Sequence, residues 1–230
     1  MAILLHELVG SDPQRPFSPH CWKVRLALRH KGLDFRTVPV PFTGVASIEG
    51  GSGIVPVLRD GETVVSDSFA IAEYLETAYP DAPSLFGGEG GRHLSRFVES
   101  WSQRTIHPFV STSRALVSIH DSLAAPDRVY FRQSREKVFG KPLEAVIVGD
   151  EERLAEFGKK LNPLRSLLER QAFLGGDVPL FADYIVFGAF QWLRVVTPWQ
   201  VLASDDPIAD WFERCLDLHG GEGRQVPAAA

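Results

Sequence analysis

Thiols are nearly absent from this chain: Cys21 and Cys215 are the only cysteines in 230 residues. Two cannot build a disulfide scaffold or a zinc site held by thiolates. Histidine is sparse too. None of the seven falls in an HxxH or HxxxH pairing, so the spacing suggests no metal centre. No apolar run approaches the roughly 20 residues that cross a bilayer. The opening Met-Ala-Ile-Leu-Leu-His-Glu has no basic region and meets Glu7, which speaks against a signal peptide. Positive charge is in the minority, with a formal net charge of −5 and no basic block longer than Lys159-Lys160, so nucleic acid is not an expected partner. No Gly-x-Ser-x-Gly or Gly-Lys-Ser/Thr stretch occurs, which removes the usual signs of α/β-hydrolase and P-loop chemistry. What remains is ordinary globular material, 44% hydrophobic and 23% charged, long enough for one large domain or two small ones. The expected setting is the reducing cytoplasm, with no membrane partner.

The chain changes character near residue 80. Residues 3–8 form a short apolar run, and a loop rich in turn formers follows, Gly10-Ser-Asp-Pro-Gln-Arg-Pro16. A helix is expected from Pro19, with Val24 and Leu28 on one face and Gly32 as its stop. Phe35 to Val40 reads as a strand that Pro39-Val-Pro41 interrupts. Asp60-Gly61 between Val57-Leu-Arg and Thr63-Val-Val65 signals a hairpin. Asp67-Ser68 then opens a helix carrying Phe69, Ala72 and Leu75, which Tyr79-Pro80 ends. Strand, helix, strand, Gly-rich stretch, hairpin and helix build a mixed sheet with helices packed on it. A thioredoxin-like α/β domain over residues 1–80 is therefore expected.

Residues 81–92, with four glycines and a proline, read as a linker. An all-α domain is expected over residues 93–230. Leu94, Phe97, Val98 and Trp101 share a helical stripe, and Pro108 should kink or end that helix. Asp127 to Phe139 and Glu151 to Phe173 are further helix candidates. Ala182 to Val196 is apolar nearly all round, as in a helix buried within a bundle. Asp210 to Leu218 closes the fold.

Three places can carry chemistry. Ser18-Pro19-His20-Cys21 sits where the first loop meets the first helix. A helix N-terminus presents unpaired N–H groups and partial positive charge, so it favours an anion, and a Ser18 hydroxyl can donate to one. The spacing imitates Cys-x-x-Cys, but serine holds the leading position and cannot form a disulfide. The sulfur would then come from a ligand, with Ser18 stabilising its thiolate; the plainer alternative is that Ser18 only caps the helix. Val55-Pro56, entering a strand after a Gly-rich loop, is a candidate cis bond that would leave the Val55 N–H and C=O free to pair with a peptide-like ligand. Asp67-Ser68 suits a zwitterionic amino-acid end, Asp67 facing an ammonium and Ser68 a carboxylate, with ordinary capping again the alternative.

Taken together, Ser18-Pro-His-Cys-Trp-Lys-Val-Arg25, Val55-Pro56, Asp67-Ser68-Phe-Ala-Ile-Ala-Glu-Tyr-Leu75 and Phe181-Ala-Asp-Tyr184 resemble the glutathione transferase superfamily, serine type, over nearly the whole chain. Phe131-Arg-Gln-Ser-Arg-Glu136, Leu174-Gly-Gly-Asp177 and Asp217-Leu-His-Gly-Gly-Glu-Gly-Arg224 are similar to its bacterial β-etherase-like branch, whose members cleave aryl ethers. The resemblance implies glutathione as co-substrate, no metal, a small hydrophobic or aromatic electrophile, a role in detoxification and a homodimer. It implies that Ser18 stabilises the thiolate, that Val55 before cis Pro56 pairs with the cysteinyl backbone, and that Asp67 and Ser68 hold the γ-glutamyl end. Asp183 matches a structural helix-capping aspartate.

Two positions depart from the family pattern. Ile54 stands where many relatives carry a basic residue near the glycyl carboxylate, and Leu180 stands where many carry an oxygen cap. None of the four tyrosines lies near the end of the first strand, so a tyrosine-activated mechanism is not expected. Cys21, one turn beyond Ser18, is either a thiol near the site or a small buried hydrophobe. Phe17, Trp101, Arg104 and Phe109 are candidates for the walls of a second-substrate cleft between the domains. The rival readings are a non-catalytic protein that binds glutathione or a hydrophobe, and a thiol reductase dependent on Cys21.

Overall fold

Alternation along the first strand sets the inner face of the sheet. In the computed structural model, which describes residues 2–147 and 149–230, β1 (Ile3–Leu8) buries Ile3 and Leu5 and leaves Leu4 and His6 partly exposed. Ser18, extended at φ −60° and ψ 124°, caps α1 (Pro19–His30), where Pro19 sacrifices no hydrogen bond because the first helical amide has no partner in any case. β2 (Phe35–Val40) pairs parallel to β1 and runs straight through Pro39, the point where an interruption was expected. The sheet order β2-β1-β3-β4 explains this, because an edge strand tolerates a missing N–H. A 3₁₀ segment, Phe42–Ser47, follows. β3 (Val57–Asp60) and β4 (Thr63–Ser66) form the antiparallel hairpin, with Gly61 at φ +59° supplying the turn. α2 (Ser68–Ala78) completes a thioredoxin-like α/β unit.

Residues 89–221 are helical: α3 (Glu89–Ser111), α4 (Ala115–Ser122), α5 (Ala125–Phe139), α6 (Leu143–Val146), α7 (Asp150–Lys160), α8 (Asn162–Leu168), α9 (Phe181–Val196) and α10 (Pro207–Gly221). No helix among the described residues is long and apolar enough to cross a membrane. α3 begins at Glu89, inside the stretch 81–92 that composition marks as linker, and continues past Pro108 for one more turn to Ser111. Its expected apolar stripe is split. Leu94 and Phe97 are exposed, while the inward face is made by Ser95, Ser102, Ile106 and Phe109. Small serines let the helix approach its neighbours closely, which hydrophobicity alone does not reveal. The single helix expected over Glu151 to Phe173 is two, broken at Leu161 because Pro163 opens α8 and cannot donate to the helix before it.

α9 is the buried axis of this half and packs along α1. Trp22 meets Phe187 edge-on at 6.1 Å, and a Cβ placed on Gly188 would lie 2.3 Å from the Pro19 carbonyl oxygen. Only glycine permits that approach, which fixes the first turn of α1 against the helical half. Arg25 and Arg29 add a charged tie: Arg25 bridges Glu7 on β1 and Glu222 after α10, and Arg29 also holds Glu222.

Leu180 provides no oxygen to cap α9, and Asp183 covers the loss from inside the helix. Its carboxylate accepts from the backbone N–H groups of Leu174, Gly175 and Leu180 at 2.7, 3.0 and 3.0 Å, and from Trp211 Nε1 at 2.9 Å. Four donors on one buried carboxylate make it the anchor of the loop before α9 and of α10 together. Asp183→Ala strands all four and should cost about 3–5 kcal/mol of unfolding free energy. Chemical denaturation checks this, and a loss below about 1 kcal/mol would show that the network relaxes without it.

Candidate active site

The turn at Ser18 opens into a cavity of about 650 Å³ between the sheet end and helices α3, α4, α5 and α9. Phe17, Ser18, Pro19 and His20 form one wall, the 3₁₀ segment and Gly53-Ile54-Val55 a second, and Leu116, Ile119, Phe131 and Trp192 an apolar third. Such a mostly apolar cleft with a few convergent polar groups is the usual form of a small-molecule site.

Ser18 is almost fully buried, and its Oγ accepts from the Cys21 backbone N–H at 3.4 Å. Capping uses the oxygen as acceptor and leaves the hydroxyl proton to donate, so the capping role and an anion-binding role do not compete. Val55 lines the same cavity, and the bond to Pro56 is cis. Pro56, Asp67 and Ser68 do not line it. They lie beside it through the hairpin register, which pairs Val57 with Ser66. Asp67 caps α2, its Oδ1 accepting from the N–H groups of Phe69 and Ala70 at 2.9 and 3.0 Å, and takes φ +81°, a left-handed backbone that a residue other than glycine adopts at a cost. Ser68 Oγ is buried with no hydrogen-bond partner among the described residues. A buried hydroxyl without a partner is costly.

Beneath the Ser18 turn is a polar cluster that the sequence did not disclose. Lys23 is fully buried, binds Glu99 at 3.0 Å and approaches His20 Nδ1 at 3.1 Å. An ammonium can only donate, so His20 Nδ1 accepts and its proton sits on Nε2. Burial, followed by Lys23 and His107, holds His20 well below the ordinary imidazole range. His107, whose ring lies 5.1 Å from that of His20, is pushed down to about 3, chiefly by burial. Both are therefore neutral at physiological pH, and both line the cavity.

Among the expected wall residues, Phe17 lines the cavity and the other three do not. Arg104 and Phe109 face a separate groove between α3 and α7, where Phe109 stacks on Phe157 at 3.9 Å, and Trp101 packs against the core. The helix stripe that suggested them lies on a different side of α3 from His107 and Ser111, which do face the cavity. Phe42, Tyr130, Phe131 and Arg135 were missed, because they meet across the fold. Asp127 brings them together by accepting from the Phe42 and Thr43 N–H groups at 2.9 Å and from Thr43 Oγ1 at 2.8 Å.

Cys21 lies behind the site, its thiol against the Ser18 hydroxyl but outside the cavity lining. It is fully buried, and burial, then Glu7, push its thiol up to about 12. A thiol held protonated and out of contact with the cavity cannot act as a nucleophile at neutral pH, so the Cys21 reductase reading falls.

The two halves of the chain match the N-terminal and C-terminal domains of glutathione S-transferases over residues 13–83 and 94–218. A zeta-class glutathione S-transferase of Euphorbia esula is 49% identical over 70 residues, 28% of this chain and 31% of that one, so the match spans under a third of that relative's length. Among solved structures, glutathione transferase GSTFuA3 of Phanerochaete chrysosporium superposes with a TM-score of 0.77 at 28% identity, covering 98% of this chain and 94% of that one. A glutathione S-transferase of Ceriporiopsis subvermispora, CsGST63524, solved in complex with glutathione, shares the fold with a TM-score of 0.75 at 24% identity over 98% and 95% of the two chains. With both domains matched in order and the fold shared from end to end, the chain belongs to the glutathione S-transferase family.

Proposed function

We propose that this transferase activates glutathione by stabilising its thiolate with Ser18, and directs it at a hydrophobic electrophile in the apolar part of the cleft. The observation that carries the reading is the buried Ser18 hydroxyl, which lines the cavity at the positive end of α1. The partnerless Ser68 hydroxyl fits a glutathione carboxylate at the start of α2, and the Asp67 oxygen not used in capping fits its ammonium. Val55 supplies backbone pairing for the cysteinyl unit.

A free thiol near pKa 8.5 is mostly protonated at neutral pH, and each unit of depression corresponds to about 1.4 kcal/mol. Ser18 and the first α1 amides supply that preference without a counter-charge. The electrophile lies against Phe17, Phe42, Phe131 and Trp192. His20 Nε2–H, locked as a neutral donor by Lys23, suits an oxygen leaving as an anion. That arrangement favours aryl-ether cleavage: the thiolate attacks carbon, the carbon–oxygen bond breaks, and the aryl oxygen takes the electron pair as phenolate. The exposed Leu94 and Phe97 on α3, 53% and 68% accessible, form the face we assign to homodimer contact.

Ser18→Ala should raise the pH at which bound glutathione shows thiolate absorbance by about one to two units, and lower turnover of a β-aryl ether at pH 6.5 in step. An unchanged titration removes Ser18 from the mechanism. Cys21 and Cys215, whose thiols burial pushes up to about 12 and well above the ordinary range, should stay inert to a disulfide reagent from pH 7 to 9 until the chain unfolds. Rapid modification of the native protein would contradict the packing. Phe97→Glu should convert a dimer to monomers in light scattering; an unchanged mass would move the interface elsewhere.

A further inference from the structure

Among the residues that line the cavity, Arg135 alone carries a full charge, and no carboxylate lines it. Arg135 is half-buried on the third turn of α5, and its contacts are the Ser134 hydroxyl at 3.2 Å and the face of the Phe131 ring at 5.0 Å. It has no acidic partner among the described residues. The nearest carboxylates in sequence are occupied. Glu136 accepts from Arg132 Nη1 at 2.9 Å and Glu144 accepts from Arg132 Nη2 at 2.7 Å, while Asp127 is taken by Phe42 and Thr43. Burial pulls the guanidinium pKa down, with only Tyr130 working the other way, yet arginine stays protonated at any physiological pH.

A partly desolvated charge without a counter-ion is unfavourable, and proteins keep few of them. The planar fork of a guanidinium matches a carboxylate with two parallel hydrogen bonds, and the Phe131 ring 5.0 Å away adds a cation–π contact. The wall formed by Gly53 and Ile54 belongs to the same cavity and brings no cation of its own.

We propose that Arg135 is a carboxylate-binding residue of the cleft, presented by the helical half to an acidic group on a bound ligand. The inference rests on this cavity being the ligand site argued above. Two sources supply the chemistry: the glycyl carboxylate of glutathione, for which position 54 offers only isoleucine, or an acid group on the aromatic second substrate.

Calorimetric titration of the full chain with two matched pairs separates them: glutathione against its glycinamide, and 4-phenoxybenzoate against 4-phenoxybenzamide. The wild type should bind at least one carboxylate about tenfold more tightly than its amide, the strength of a charge-assisted pair. Arg135→Gln should erase that preference while leaving the affinity for the amide, and Arg135→Lys should restore part of it. A preference in the first pair assigns Arg135 to the tripeptide, and in the second to the electrophile. No preference in either pair for the wild type overturns the proposal, as does a preference undiminished in Arg135→Gln. Should that variant melt below the assay temperature, Arg135→Lys decides: a reduced preference supports the forked contact and an unchanged one refutes it. These readouts need no turnover. A Ser18→Ala variant that loses thiolate stabilisation but keeps the carboxylate preference tests the two readings apart.

Discussion

The structure depends on how closely α9 approaches the first turn of α1. At Gly188 there is no room for a methyl group above the Pro19 carbonyl, and Trp22 and Phe187 lock the two helices one turn further along. This contact joins the halves of the molecule at Pro19, which also lines the cavity. The N-terminal turn of α1 is thereby held rigid and nearly dry, which is the condition under which a hydroxyl and a few amides can hold an anion effectively. Ser18 itself is an economical choice. Its oxygen accepts the Cys21 amide and fixes the turn, and the same hydroxyl lines the cleft.

The second wall of the cleft is built by a longer-range device. Asp127, buried at the start of α5, accepts three hydrogen bonds from the 3₁₀ segment of the sheet domain. It draws Phe42 against Phe131, with ring centres 5.4 Å apart, and so places Tyr130, Phe131 and Arg135 over the cavity. The polar floor follows a different logic. Lys23 is buried between Glu99 and His20, so the cleft has two neutral imidazoles where the sequence shows only scattered histidines.

Much of the sheet domain was legible because its signals are local. A short apolar run gave β1, Asp60-Gly61 gave the hairpin, and a serine before a proline gave the start of α1. Pro39 misled because whether proline interrupts a strand depends on its being at an edge, a property of the sheet and not of the segment. The helical half was less legible for a related reason. Leu94 and Phe97 look like core residues by periodicity, yet α3 turns Ser95 and Ser102 inward, since close approach to neighbours outweighs hydrophobicity there. Trp101, Arg104 and Phe109 failed as cleft residues through the same rotation of α3, whereas Phe17 succeeded because it adjoins Ser18 in the chain. Residues such as Arg135 and His107 gave no sequence signal, because what marks them is their place in the cavity wall, visible only once everything around them is in place.

The most direct test of this account is a crystal structure of the protein with glutathione bound. The account predicts the sulfur within hydrogen-bonding reach of Ser18 Oγ, about 3.0–3.5 Å, over the first amides of α1, with the γ-glutamyl carboxylate at Ser68. A sulfur placed away from that hydroxyl, or a tripeptide bound with Ser68 still without a partner, would contradict it.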